Sequence, residues 1–449
     1  MLTIRHWTVL LLVALLSLTA AACTPSDEPD TATLPTDAVA DVEPTAADAM
    51  PTEAEAPIDG AMTAEELRAD PLGFVEIAPD DPIEVGAMFV LSGANADLGT
   101  DSRDGVELAI EAYGPLMGHE VALTTEDEQC SPEGGQTAAT RLAANDNIVG
   151  VIGSSCSGAA KPAIPILNEV GLVMISPSNT APELTAPDRP AEFAGYLRTA
   201  HNDSFQGSVA AEFAYNQLGL RTAATIHDGS PYAQQLQQVF ADRFTELGGT
   251  VAAQEAIQVN DVDMAPVLTS IAASKPEIIY YPIFTQEGGF VTAQARETPG
   301  LESTVLMGAD GLYSPSFVEA AGAAAEGMYL SGPYVASSDR YEAFLASLKE
   351  RYGRGPISGF HAHAYDAANM LLDAVAKASA EDADGTLVVG RQALRDALFA
   401  MEGYDGLTGM LTCDDNGDCA TGDALAVFKI GADQVADPDT NWPPEVVYP

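Results

Sequence analysis

The 449-residue chain is 47% apolar and 19% charged, and its 19 Lys+Arg against 66 Asp+Glu give a net charge of −47. That length exceeds one ordinary domain and predicts two lobes. The charge excludes nucleic acid as a partner, because phosphates would be repelled, and it favours solubility.

The chain opens with "MLTIRH", a short positive region, and "WTVLLLVALLSLTAAA", an apolar run too short to span a bilayer comfortably. Cys23 follows in "AAAC", which resembles the bacterial lipobox, where the cysteine is lipidated; Ala20 stands where leucine is more usual. Residues 1–22 therefore read as a lipoprotein signal peptide of an exported chain, with Cys23 as its lipid anchor to the membrane. Residues 23–80 are rich in Pro, Thr, Ala, Asp and Glu and read as a disordered acidic tether, apart from one short helix in "MTAEELRADPLGFVEI". The folded part is expected from Asp81.

From there short β-rich runs alternate with helical ones. "IEVGAMFVL", "VALTTEDE", "IVGVIGS" and "LVMISP" are strands; "SRDGVELAIEAY", "GGQTAATRLAAND" and "AAKPAIPILNEVG" are the helices between them. After "YLRTA" the alternation restarts, with strands "TAATIHD", "TVAAQEAI" and "EIIYYPIF" and helices "SVAAEFAYNQLG", "YAQQLQQVFADRFTELGG" and "MAPVLTSIAASK". Apolar strands separated by amphipathic helices predict α/β lobes with parallel sheets covered on both faces. The last third turns helical in "YEAFLASLKERYG", "HAHAYDAANMLLDAVAKAS" and "GRQALRDALFAME", then closes with a hairpin around the Asn-Gly of "CDDNGDC".

Beyond Cys23 there are four cysteines, an even number that suggests two disulfides in an exported chain. The local pairing is Cys130–Cys156 and Cys413–Cys419; three connectivities are open to the sequence alone. Without a C-x-x-C pair, zinc is the weaker reading.

The chemistry points to binding. Three residues before Lys161 stands Gly158, so no Ser-x-x-Lys register forms, and Ser157 interrupts a Gly-x-Ser-x-Gly elbow after Gly153. No phosphate-cradling glycine loop is present, and His361 and His363 stand two apart, which places them off a shared helix face. "DDNGD" lacks the spacing and closing glutamate of a calcium loop. No enzyme activity, cofactor or metal site is expected. Ligands of open α/β sheets bind outside the strand C-termini. There, "SSCSGAAK" and "SPSNTAPELT" offer hydroxyls and backbone N–H groups at turns, suited to an anion or to simple helix capping.

The order "VIGSSCSGAAKPAIPILNEVGLVMISPSNTAPELT…YLRTAHNDSFQG", continued by "IHDGSPYAQQL", "EIIYYPIF", "LMGADGL", "AAEGM", "AYDAANMLLDA" and "DDNGD", resembles the periplasmic leucine/isoleucine/valine-binding proteins of ABC importers over residues 82–430. The resemblance implies two doubly wound lobes joined by three crossovers, residues 81–202 with 335–408 and residues 203–334 with 409–449. It also implies a Cys130–Cys156 disulfide. Carried over by position, Ser157 and Thr180 would hold an α-carboxylate and part of the ammonium, and the Ser178 carbonyl would accept from the ammonium. Asp203 would lie near the ligand at the first crossover, and Tyr232 in the cleft. Phe284 replaces a more usual tyrosine, and Asp310 a glutamate that contacts the ammonium. Leu98 stands where an aromatic often closes over the ligand side chain. The implied function is capture of an amino acid, or a related small amide or carboxylate, for a membrane permease; a ligand-sensing receptor of the same fold is the alternative.

Overall fold

The computed structural model describes residues 62–420, 422 and 424–449; the signal segment, Cys23 and most of the tether lie outside the described residues. The chain begins with α1 (Ala64–Arg68) and β1 (Phe74–Ile77). Thr63 caps α1 in a capping box with Glu66. Ordered structure thus starts before Asp81, which corrects the expected end of the tether. Leu67, Val75 and Ile77 are buried because residues 387–390 offer β1 an antiparallel partner and an apolar surface. Too few apolar residues stand here to announce a strand without that distant partner.

The first lobe runs β2 (Ile83–Phe89), α2 (Ala96–Tyr113), β3 (Val121–Asp127), α3 (Pro132–Ala143), β4 (Ile148–Gly153), α4 (Ser157–Glu169), β5 (Met174–Ser176) and β6 (Tyr196–Arg198). Its strands pair in parallel in the order β3-β2-β4-β5-β6. β4, "IVGVIG", is buried throughout, as a strand covered on both faces must be.

The second lobe follows with α5 (Asp203–Glu212), β7 (Thr222–His227), α6 (Pro231–Glu246), β8 (Thr250–Ala256), α7 (Ala265–Ser274), β9 (Ile278–Tyr280), α8 (Thr285–Glu297), β10 (Val305–Gly308), α9 (Pro315–Ala321) and β11 (Tyr329–Pro333). The chain then returns to the first lobe for α10 (Asp339–Tyr352), α11 (His361–Lys377), β12 (Ser379–Glu381), β13 (Leu387–Gly390), α12 (Arg391–Phe399), β14 (Tyr404–Gly406) and β15 (Gly409–Leu411). It ends in the second lobe with β16 (Leu425–Lys429), α13 (Ala432–Ala436), α14 (Pro438–Asn441) and β17 (Glu445–Tyr448). The second sheet is ordered β17-β16-β11-β10-β9-β7-β8. It is parallel except for β16 and β17, which add antiparallel, so this lobe is mixed rather than wholly parallel.

Three connections join the lobes: residues 199–202, residues 334–338, and the segment after Cys419. The last crossing comes later than expected. Leu411, Cys413 and Cys419 are buried in the first lobe's core, so residues 409–419 belong with that lobe. The two-strand hairpin is β14–β15, whose pairing runs from Tyr404–Leu411 to Gly406–Gly409. The Asn-Gly stretch instead makes a turn closed by Cys413–Cys419, in which the Asp414 carboxylate accepts the Asn416 and Asp418 N–H groups at 2.8 and 2.9 Å. Cys130–Cys156 forms as well.

That turn docks on β6. The Arg198 N–H donates to Gly417 O at 2.8 Å, and the Cys419 N–H donates to Arg198 O at 3.1 Å. Gly417 has φ +88°, and a Cβ there would sit 2.3 Å from Tyr196 O, so glycine is required on both counts. The Arg198 guanidinium is fully buried. It donates to Asn179 O (3.1 Å), Ala181 O (2.9 Å) and Thr185 Oγ1, and pairs with Asp418.

Asp418→Asn keeps the shape of that pair and removes its negative charge. Breaking one side of a buried ion pair costs about 3–5 kcal/mol. Because the Asp418 side chain is 24% exposed, we expect a smaller loss of about 2 kcal/mol in urea denaturation. An unchanged midpoint would mean that the neutral acceptors alone hold the guanidinium.

Candidate functional site

The C-terminal ends of the two sheets face each other, and both sets of predicted turn residues lie there. Gly153 ends β4 with φ +133°, and a Cβ on it would sit 2.2 Å from Met88 O. This close approach brings Ser154 and Ser155 over the sheet edge. The Ser154 hydroxyl donates to Asn179 Oδ1 at 3.2 Å, and that of Ser178 to Ser155 O at 3.0 Å. The Ala181 N–H donates to Ser157 Oγ at 3.3 Å. The two turns are therefore stitched into one surface at the N-terminus of α4, where backbone N–H groups and the helix dipole favour an anion. Ser157 still has its own proton to donate. The Ser178 hydroxyl is occupied, leaving its carbonyl as the group for a ligand. The Thr180 hydroxyl is buried and has no hydrogen-bond partner.

Opposite stand the acidic residues. Asp203 is the first residue of α5 and fully buried; its N–H donates to Thr180 O at 3.0 Å, and neither carboxylate oxygen meets a donor at full hydrogen-bond geometry, although the Thr180 hydroxyl stands close enough to favour its ionised form. Asp310 follows β10. Its Oδ1 accepts from Tyr232 OH at 2.9 Å and from Gln206 Nε2 at 2.7 Å. Tyr232 OH in turn accepts the Gly311 N–H at 3.1 Å. Burial pushes the Asp310 carboxyl up to about 6, against the opposing pull of its Gln206 and Tyr232 donors. Burial, and then the neighbouring Asp310 charge, drives Asp203 well above the usual carboxylate range.

Ligand atoms of His201, Asp203 and Asp310 all lie within 4.8 Å of one another. That spacing suits a small cation, an ammonium as readily as a metal ion. His201 Nε2 is already directed to Gln206 Oε1, and burial lowers the imidazole to about 4, so it is a neutral group at physiological pH.

An apolar wall completes the space. Leu98 from the first lobe and Phe284 from the second pack in one cluster with Val90, Ala159 and the Cys130–Cys156 pair. The Phe284 ring lies 5.2 Å from that of Tyr232. The lobes are drawn together on both sides of the cleft. Thr285 N–H donates to Asn95 Oδ1 at 3.2 Å, Ser316 N–H to Asp97 Oδ2 at 3.3 Å, and Glu183 N–H to Gln235 Oε1 at 3.0 Å. The cavity lined by Asn95, Leu98, Phe284 and Asp310 is accordingly small, about 10 Å³. A larger cavity of about 650 Å³ lies away from these residues, between α2, α10 and α11.

Of the seven predicted site residues, Phe284 and Asp310 line the small cavity. Tyr232 bonds to Asp310, Asp203 stands within 4.8 Å of it, and Ser157, Ser178 and Thr180 belong to the two turns beside Asp203. Sequence reasoning missed His201, Gln206 and Ser331, which reach Asp310 directly or through one another. His201 and Gln206 stand inside "HNDSFQG", beside Asp203, but nothing local shows that β10 and β11 will pack over them. The His361–His363 stretch is structural. His361 Nδ1 lies 2.9 Å from Asp101, and its Nε2 2.7 Å from Tyr341 OH.

The sequence profile of the periplasmic binding proteins matches residues 82–434. The Leu/Ile/Val-binding protein of Escherichia coli K12 is 31% identical over 268 residues, 58% of this chain and 70% of that relative. A leucine binding protein from Thermotoga maritima superposes with a TM-score of 0.68 at 26% identity, covering 78% of this chain and 96% of its own. A solute binding protein of an ABC transporter from R. palustris, in complex with benzoate, superposes with a TM-score of 0.64 at 22% identity, covering 78% and 94%.

Because Asp203 is buried with no ion pair among the described residues, its charge opposes folding of the ligand-free chain. Asp203→Asn should stabilise that form by about 1 kcal/mol, a fraction of the cost of an unpaired buried charge because the new amide is also unpaired. A raised carboxyl favours the folded state while protonated and loses that contribution as pH rises through its folded value. The gain should therefore be largest at neutral pH and shrink on acidification. Thermal melts of both proteins across pH check this; a loss at neutral pH would show that Asp203 is satisfied in the free protein.

Proposed function

The chain belongs to the periplasmic binding protein family, and from that premise we propose that it captures an amino acid, of the branched-chain type or a small relative of it, between its two lobes. The observation that carries this reading is the pair of buried carboxylates, Asp203 and Asp310, which form no ion pair among the described residues. A ligand ammonium supplies the missing charge. Thr180, Ser157 and the α4 N-terminus supply donors for a carboxylate at the other end, and Leu98 with Phe284 supply an apolar wall. Relatives named for leucine, isoleucine and valine support the same ligand class. The benzoate-bound relative takes a ligand without an ammonium, which would leave both acids here unpaired.

Binding and release then follow from hinge motion. Opening at the three crossovers exposes the turns; closure on the ligand restores the Asn95–Thr285 and Asp97–Ser316 bonds and forms one continuous surface for a membrane permease to recognise. We assign the protein outside the cytoplasm, tethered through a lipid on Cys23. Among the described residues no helix is long and apolar enough to cross a membrane. Cys23→Ser should release the protein from washed membranes while leaving ligand affinity unchanged; a mutant that stays bound would refute the anchor.

The ligand is tested by thermal denaturation with leucine, isoleucine, valine and benzoate. A true ligand at a hundred times its Kd adds about 2.7 kcal/mol to stability. We expect stabilisation by at least one amino acid and none by benzoate; the reverse pattern would make this an aromatic-carboxylate binder. Asp310→Asn should then weaken the active amino acid about tenfold to a hundredfold, the worth of a charge-assisted hydrogen bond. Its deaminated analogue should bind the mutant no worse than the parent.

A further inference from the structure

Gln206 lies on α5, three residues beyond Asp203, and is fully buried. Its amide nitrogen donates to Asp310 Oδ1 at 2.7 Å, Ser331 O at 3.1 Å and Ser331 Oγ at 3.2 Å. A carboxylate and a backbone carbonyl only accept, so the NH₂ must face them and the amide oxygen must face His201. That oxygen needs a donor, which sets the tautomer: His201 carries its proton on Nε2. Its Nδ1 is then a bare lone pair, and it is buried without a partner. Every group in the chain thus has one compatible orientation.

The consequence falls on Asp310. Both of its side-chain donors, Gln206 and Tyr232, take the same oxygen, Oδ1. Oδ2 accepts no hydrogen bond among the described residues, and Asp310 lines the cleft cavity. The donors pin one oxygen and leave the other for a ligand. His201, at the far end, sits in the first crossover, residues 199–202, stacked 6.2 Å from Phe360. In the same crossover Thr199 donates to His363 O at 2.8 Å. The chain of contacts therefore runs from the hinge, through the start of the second lobe, to the acidic end of the cleft.

We propose that Gln206, oriented by His201, is a positioning residue of the cation subsite: it holds the Asp310 carboxylate with Oδ2 facing the ligand and ties that orientation to the first crossover. This rests on the reading of the cleft as an ammonium site. The charged and titratable groups facing Asp310 are Asp203 from α5, Tyr232 from α6, Tyr280 from β9 and His201 from the crossover; the Arg198 charge of β6 acts on Asp203. Among the described residues, only Gln206 and Tyr232 donate a side-chain hydrogen bond to the Asp310 carboxylate.

The test is calorimetric titration of the full chain with leucine and with isocaproate, its deaminated analogue, across the weakly acid to neutral range. Gln206→Leu fills the same space without the amide. It should weaken leucine about tenfold, the worth of one hydrogen bond to a charged group, and leave isocaproate within about twofold. It should also move the acid limb of leucine binding to higher pH, because losing a donor disfavours the ionised carboxylate. His201→Phe frees the amide to rotate and should show the same selectivity, about threefold in size. It decides the matter where Gln206→Leu does not fold. Equal weakening of both ligands, or an unmoved acid limb, overturns the positioning role and leaves Gln206 a packing residue. A parent protein that binds isocaproate as tightly as leucine instead overturns the ammonium reading itself, which separates the two failures.

Discussion

The cleft depends on where the backbone of residues 179–181 runs, and one buried guanidinium fixes it. Arg198 holds Asn179 O and Ala181 O from below, with Thr180 between them. Backbone carbonyls cannot be supplied by a different side chain, so the loop follows the arginine. The arginine in turn requires a counter-charge, and Asp418 arrives from a turn more than two hundred residues later, shaped by Cys413–Cys419 and by Gly417. Asn202, the residue that caps α5, also donates to Asp418 at 3.1 Å. A single carboxylate therefore braces the anion end of the site, the first crossover and the helix that carries Asp203.

This arrangement explains an imbalance of charge. Arg198 is the buried cation near the cleft, and its charge is matched by Asp418. Asp203 and Asp310 are left without a counter-ion. Leaving two carboxylates in a low-dielectric space is costly. Binding proteins can carry such a cost where the ligand relieves it, since stability and function trade against each other at a site. The cleft is thus complementary to a dipolar molecule in both senses: donors where a carboxylate would lie, and excess negative charge where an ammonium would lie.

Much of this was legible in the sequence, and what was not has physical causes. Buried parallel strands announce themselves as apolar runs, so β2, β4 and β7 were plain, and strand ends led to Ser157 and Thr180, whereas Asp310 came from the family resemblance alone. α8 was hidden because "TQEGGFVTAQARE" has two adjacent glycines and no apolar stripe. Those glycines serve close packing: a Cβ on Gly288 would lie 2.3 Å from Leu312, and one on Gly289 would lie 2.8 Å from Ala320. β1 was hidden because its partner stands over three hundred residues away. Gln206 was missed for the same reason, since Asp310 and Ser331 join it from 104 and 125 residues further on. Local pattern reports an element's own face; it does not report which distant residue will be set against it.

The closed arrangement adds the last step. Asn95 and Asp97 from the start of α2 accept N–H groups at the start of α8 and α9, which are orphan donors of helix N-termini. Such bonds exist only when the lobes meet, and water replaces them when the lobes part, so each contributes little on its own. On the ammonium reading proposed above, a cation entering between Thr180 and the acids would favour closure, because the same event would remove the charge penalty and let the weak bonds form together. A ligand that binds one lobe but lacks the ammonium would leave the penalty in place. On that reading selectivity would arise at closure more than at first contact, with the acidic end, more than the apolar wall, deciding which molecules are bound.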